Sequence, residues 1–191
     1  MEILIISLYA INTPHFETEL EIAQKHIDNG DSVRFLHCNS SLYACDVNPQ
    51  HNIFTCFQCI NKRKKGFRLL PELIDKQLLT NLNNKDYNNL KKFEFSHKTI
   101  NDLKKHYIDN FDIGYGVLSS LVSYTRDSEP LIVKHKQLIT NLFKSSLLVY
   151  WSVTNHLLSK KTDRVYVFNG RFAPCRAAFR AAQSCKVDCY I

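Results

Sequence analysis

Three observations predict an α/β fold built on a parallel sheet. Residues 2–8 form a continuous apolar run rich in isoleucine, the pattern of a strand buried on both faces. A helical pattern over residues 16–29, closed by Gly30, is followed by strand pattern at 32–37. This opening of ~35 residues is the size of a right-handed strand–helix–strand crossover. The pattern returns near the other end. Residues 165–168 read as a strand, Asn169-Gly170-Arg171 as a turn, Pro174 as a helix start, and residues 187–191 as a further strand.

The first helix is predicted from Phe16, Leu20, Ile22, Ala23 and Ile27, which approximate one helical face. Residues 38–68 interrupt the alternation as a cysteine-rich, basic insertion after the second strand. Residues 76–95, rich in asparagine and lysine, read as a mobile excursion. Helical pattern resumes over residues 98–107 and again after Gly114-Tyr115-Gly116. Residues 131–159 contain neither proline nor glycine; Leu138, Leu142, Leu148, Trp151 and Leu158 predict a helix buried on one side. The whole is expected to be one Rossmann-like domain over residues 1–191. A chain of 191 residues suffices for one sizeable core and is short for two. With 45% hydrophobic and 23% charged residues it is not a disordered chain.

The formal charge is +7, from 25 Lys and Arg against 18 Asp and Glu. Part of the excess lies in Lys62-Arg63-Lys64-Lys65 and Arg68. That patch suits an anionic acceptor or the inner face of a membrane as readily as solvent. Nucleic acid is not expected as a partner, since no aromatic-interleaved basic stripe accompanies the charge. The apolar N-terminus lacks the basic flank of a signal peptide, and no uncharged run approaches the ~20 residues of a membrane span. A cytoplasmic protein is therefore expected, peripheral to the inner membrane if it touches one, with reduced thiols.

Open parallel sheets bind ligands beyond the carboxyl ends of their strands, so the loops after residues 8 and 168 come first. Neither G-x-G-x-x-G nor a P-loop occurs in the first, which removes the signature of a nucleotide-binding oxidoreductase. His15 stands at the start of the first helix, where the dipole suits a neutral imidazole acting as a base. Glu17 or Glu19 is placed to orient it or to cap the helix. Asn169, Gly170 and Arg171 combine an amide, a permissive backbone and a fixed cation, a trio able to hold a sugar hydroxyl or a phosphate.

Cys38, Cys45, Cys56 and Cys59 fall within one segment, the last two spaced Cys-x-x-Cys. Three readings stand side by side: a structural zinc held by four thiolates, reduced buried thiols, and a redox or disulfide role. His37 and His51 are spare nitrogen ligands for the first. Cys175, Cys185 and Cys189 read as core residues.

Three passages resemble a family of bacterial surface-carbohydrate biosynthesis proteins, the capsular and lipopolysaccharide glycosyltransferases of GT-B type. They are Thr13-Pro14-His15-Phe16-Glu17-Thr18-Glu19-Leu20 with the following Asn29-Gly30, the block from Cys38 through Cys45-Asp46-Val47-Asn48 to Cys59, and residues 165–173. Phe111-Asp112-Ile113-Gly114 and Ser119-Ser120 are similar to that family's middle region. The resemblance implies an acceptor-side domain facing a second, donor-binding domain across a cleft. It implies transfer from a nucleotide-sugar to a glycan or lipid-linked acceptor, with His15 as base beside Glu17 and no cofactor needed for the chemistry. Asn169, Gly170 and Arg171 would then bind substrate. Because the sequence ends at Ile191, an incomplete GT-B protein, inactive by itself, is expected. The rival expectation is a non-catalytic, zinc-stabilised interaction module built on the cysteine segment.

Overall fold

A computed structural model of the chain describes residues 1–71, 74–96 and 98–191. Five strands, β1 (Glu2–Ser7), β2 (Ser32–His37), β3 (Asp75–Leu78), β4 (Arg164–Val167) and β5 (Asp188–Tyr190), form an all-parallel sheet in the order β3-β2-β1-β4-β5. The flanking helices are α1 (His15–Asp28), α2 (Ile53–Phe67), α3 (Asn84–Lys92), α4 (Ile100–Lys104), α5 (Ile113–Thr125), α6 (Lys136–Ser159) and α7 (Ala173–Ser184). A short 3-10 turn, Ile132–His135, leads into α6. This is the Rossmann-like α/β arrangement the sequence predicts.

Period-two alternation divides the strand side chains between two cores. Leu4, Ile6, Leu36, Val165 and Val167 enter the larger one, with α5, α6 and α7. Ile3, Ile5, Val33 and Phe35 enter the smaller one, against Ala23 of α1 and flanking Phe67 of α2. The two helix layers therefore lie on opposite faces of the sheet. Strand order reverses between β1 and β4, and a crevice opens above their carboxyl ends at such a switch point.

Residues 38–68 differ from the predicted irregular insertion. Only residues 38–52 are a loop; residues 53–67 are α2, in the crossover from β2 to β3. Asn52 starts it, its side chain accepting the N–H groups of Phe54 and Thr55 at 2.9 and 3.3 Å. Gly66 lets α2 approach α1, since a methyl there would run into the Phe16 ring. The predicted excursion over 76–95 contains most of β3 and the whole of α3. Asn83 caps that helix and Leu90 anchors it in the larger core. Helix pattern over residues 98–107 narrows to α4, held by a capping box of Thr99 and Asp102. At α6 the prediction holds, although Leu158 points to solvent.

Candidate functional site

The loops after β1 and β4 meet at the switch point, as they must when their strands are neighbours. His15, the first residue of α1, lays its ring on Phe168, with centroids 3.8 Å apart. Beneath the pair lies a cavity of about 400 Å³ between α1 and the ends of β4 and β5, walled by Ile22, Tyr166, Phe168 and Tyr190. Glu19 lines the same cavity one helical turn after His15. Its side chain is buried and its Oε2 has no hydrogen-bond partner. Burial raises its pKa to about 8, although neighbouring Ser7 and Arg63 favour the charged form. Near neutral pH Glu19 is therefore largely a protonated acid, able to donate a hydrogen bond.

Glu17, expected beside His15, is engaged elsewhere. Its carboxylate accepts from Lys62 Nζ at 2.7 Å and from Thr13 Oγ1 at 3.4 Å, and the lysine holds it below the usual carboxylate range. Glu19 is thus the carboxyl group that shares His15's cavity.

In the second loop Asn169, not Gly170, adopts the left-handed conformation, with φ +46°. Its carbonyl accepts the Arg171 N–H. Gly170 serves close packing instead: a Cβ there would sit 3.3 Å from the Phe179 ring of α7. Arg171 lies over the Phe172 ring, 4.5 Å from its centroid, and lines a groove along α5 with Tyr115, Ser119 and Arg126. The two predicted loops therefore come together, but His15 lines the cavity beside β4 and β5 and Arg171 the groove along α5.

On the α5 side a buried network closes the floor of the crevice. Asp46 accepts from Tyr9 Oη at 2.6 Å and from Ser120 Oγ at 2.5 Å; Ser120 Oγ in turn accepts the Ala173 N–H at 2.9 Å. Four elements are tied through one carboxylate: the loops after β1 and β2, α5 and the start of α7. Burial raises the Asp46 pKa, opposed by the two hydroxyl donors and the nearby Arg171 charge. Burial likewise lifts the Tyr9 phenol well above its ordinary value, with Asp46 adding to it. No sequence spacing singles out Asp46 and Ser120, which are 74 residues apart.

Arg63 was also hidden, inside a basic run. It is buried, and its guanidinium donates to the carbonyls of Cys38, Ser7 and Leu8, the last two at 3.4 and 3.3 Å. The signal that finds it is its position on α2, four residues after Cys59 and three before the buried Gly66.

The cysteines do not form the expected zinc site. Among the described residues, no group of three or more His, Cys, Asp or Glu side chains has the geometry to hold a metal ion. All seven cysteines are free. Cys38, Cys45, Cys56 and Cys59 line one narrow cavity under α2, but separate donors serve them. Cys59 Sγ accepts the Ala10 N–H and Cys56 Sγ the Asn48 amide, each at 3.2 Å, while Ser41 Oγ reaches Cys38 Sγ at 3.9 Å. The physical reason is that Cys56 and Cys59 sit on a helix, not in a knuckle turn, and each half-buried thiol accepts from a different donor. Structural zinc therefore has no support among the described residues.

Among the described residues, no helix is long and apolar enough to cross a membrane. No protein-family model matches the chain, and no curated protein matches it in sequence.

Proposed function

We propose that the chain is the acceptor-side domain of a glycosyltransferase of surface-polysaccharide biosynthesis. It would receive a glycan or lipid-linked acceptor, and the sugar would come from a nucleotide-sugar held by a facing domain. The observation that carries this reading is the aromatic-walled cavity between α1 and the ends of β4 and β5, beside the switch point, with His15 and Glu19 one helical turn apart. A pyranose offers apolar C–H faces and a rim of hydroxyls. Phe168, Tyr166 and Tyr190 suit the faces, and the protonated Glu19 suits a hydroxyl oxygen. In the transfer, His15 takes the proton of the acceptor hydroxyl as its oxygen bonds to the anomeric carbon. The nucleoside diphosphate leaves with the electron pair. Arg171, across the crevice, is free to meet phosphate or acceptor oxygens.

Titration of the isotopically labelled chain with hexoses and short oligosaccharides tests the reading by nuclear magnetic resonance. Weak binding, with Kd of order 1 mM, is expected to shift the amides of residues 10–15 and 168–171. Phe168→Ala should abolish those shifts, and His15→Ala should weaken them. Absence of carbohydrate-induced shifts at both loops would remove the proposal.

A further inference from the structure

Helix α2 has two unlike faces. Inward, Arg63 and Cys59 grip the strand-end loop after β1. Outward, it exposes large apolar side chains that no neighbour covers: Ile53 is 62% exposed, Phe54 76% and Phe57 62%. Leu69, two residues past the helix end, is exposed to 78%. Phe54, Phe57, Gln58, Asn61, Lys62 and Lys65 share one shallow surface groove, following the helical repeat along the solvent side. Lys64, Lys65 and Arg68 are exposed at the carboxyl end, and the segment 53–69 contains no Asp or Glu. The structure thus joins an aromatic row to a purely basic end on one helix of 15 residues.

We propose that α2 is a membrane-docking helix, which lies on an anionic bilayer with Phe54 and Phe57 in the headgroup–acyl boundary and Lys64, Lys65 and Arg68 among the lipid phosphates. The basic run alone is satisfied by water. Exposed phenylalanines alone are satisfied by any apolar partner. A bilayer with anionic headgroups is anionic outside and apolar a few ångströms in, and so meets both at once. The opposite charge of that surface complements the exposed Lys64, Lys65 and Arg68, while Lys62 in the same groove is already paired with Glu17. The contact stands independently of the carbohydrate reading, but it has a consequence for it. Docking on α2 brings the bilayer to about one helix diameter, ~10 Å, from the β1 loop that leads to His15.

Co-sedimentation of the full chain with vesicles tests the docking. Vesicles containing about 30 mol% phosphatidylglycerol should carry the protein down, and pure phosphatidylcholine vesicles should not. Lys64→Glu/Lys65→Glu should weaken partition about 25-fold or more, from about fivefold for each basic residue lost. Phe54→Ser/Phe57→Ser should weaken it at least about tenfold while leaving the salt dependence in place. All four positions are exposed, and circular dichroism checks that both variants stay folded. Equal binding to both vesicle types, or no loss in either variant, overturns the proposal. So does retention on a polynucleotide column without vesicle binding, which would make the basic end a nucleic-acid surface. Because no sugar enters this assay, its failure leaves the carbohydrate titration to stand or fall by itself.

Discussion

Glu19→Gln is expected to stabilise the protein by an amount that grows with pH. A carboxyl group whose pKa is about 8 in the folded chain and 4.5 ordinarily binds more protons folded than unfolded across that interval. Stability is therefore intact below 4.5, falls as pH rises, and levels off above 8. Integrated from about pH 5 to about pH 9, the wild type loses about 4 kcal/mol that the amide does not. Glutamine keeps the shape of the protonated acid and a donor for the cavity, so packing is nearly unchanged. In a chain of this size the difference corresponds to about 8–16 °C in Tm. Urea unfolding of both proteins in reducing buffer at about pH 5, 7 and 9 reads it directly. The variant should be close to wild type at the lowest pH and clearly more stable at the highest. A difference that stays flat across the series would refute the reasoning, because it would mean that Glu19 ionises as an ordinary surface carboxylate does.

Asp46→Ala should cost about 2–4 kcal/mol in urea unfolding, since it strands the Tyr9 hydroxyl and loosens Ser120 together. Ser120→Ala should cost less, about 1–2 kcal/mol, leaving the Ala173 N–H without its acceptor. Gly114→Ala should destabilise by about 3 kcal/mol or more, because the new methyl would overlap the Leu103 carbonyl and backbone cannot rotate away. Asp112, whose pKa falls to about 2 beside Arg180 and Arg176 despite burial, contributes stability that is present above 3.8 and lost as pH falls toward 2. Solvent around the arginines limits this to about 1 kcal/mol, so Asp112→Asn should flatten the acid limb of the stability curve by that amount.

β1 was legible because it is buried on both faces and reads as an unbroken apolar run, and β4 because Val165 and Val167 alternate into the core. β1 and β2 fall where their patterns predict them, and β4 begins one residue earlier at Arg164. β3 was not legible: Asp-Lys-Gln-Leu at a sheet edge needs no apolar run, only backbone partners from β2. α2 was obscured by chemistry. Its inward residues Cys56, Cys59 and Arg63 follow helical spacing, but two of them look like metal ligands and the third like part of a solvated charge cluster. α3 was obscured by composition, since asparagine disfavours helix interiors while here Asn83 serves as a cap. In the site, His15 could be found from its place beside β1, as could the turn after β4. Which carboxyl faces His15 could not, because Glu17 and Glu19 differ only in helix phase, and that phase is set by where α1 begins. The Asp46 network has no local signature at all, being closed by residues far apart in the chain.

The parts that sequence reading missed are the parts that hold the crevice together. Arg63 and Cys59 take hold of the loop after β1 from α2. Asp46 takes hold of the same strand end, through Tyr9, from the loop after β2. Both grips originate in residues 38–67, the segment that first suggests a metal. Arg63 and Cys59 are directed at the backbone of the switch point and Asp46 at the hydroxyls of Tyr9 and Ser120, while the four thiols line the narrow cavity between. A change that releases α2 from this grip should disturb the β1 loop and His15 before it reaches α6 and α7, which pack in the larger core on the face of the sheet opposite α2. Hydrogen exchange of Arg63→Met would show the order: early loss of protection in residues 8–15 with α6 still protected. Uniform loss would mean that the segment supports the whole sheet and not the crevice in particular.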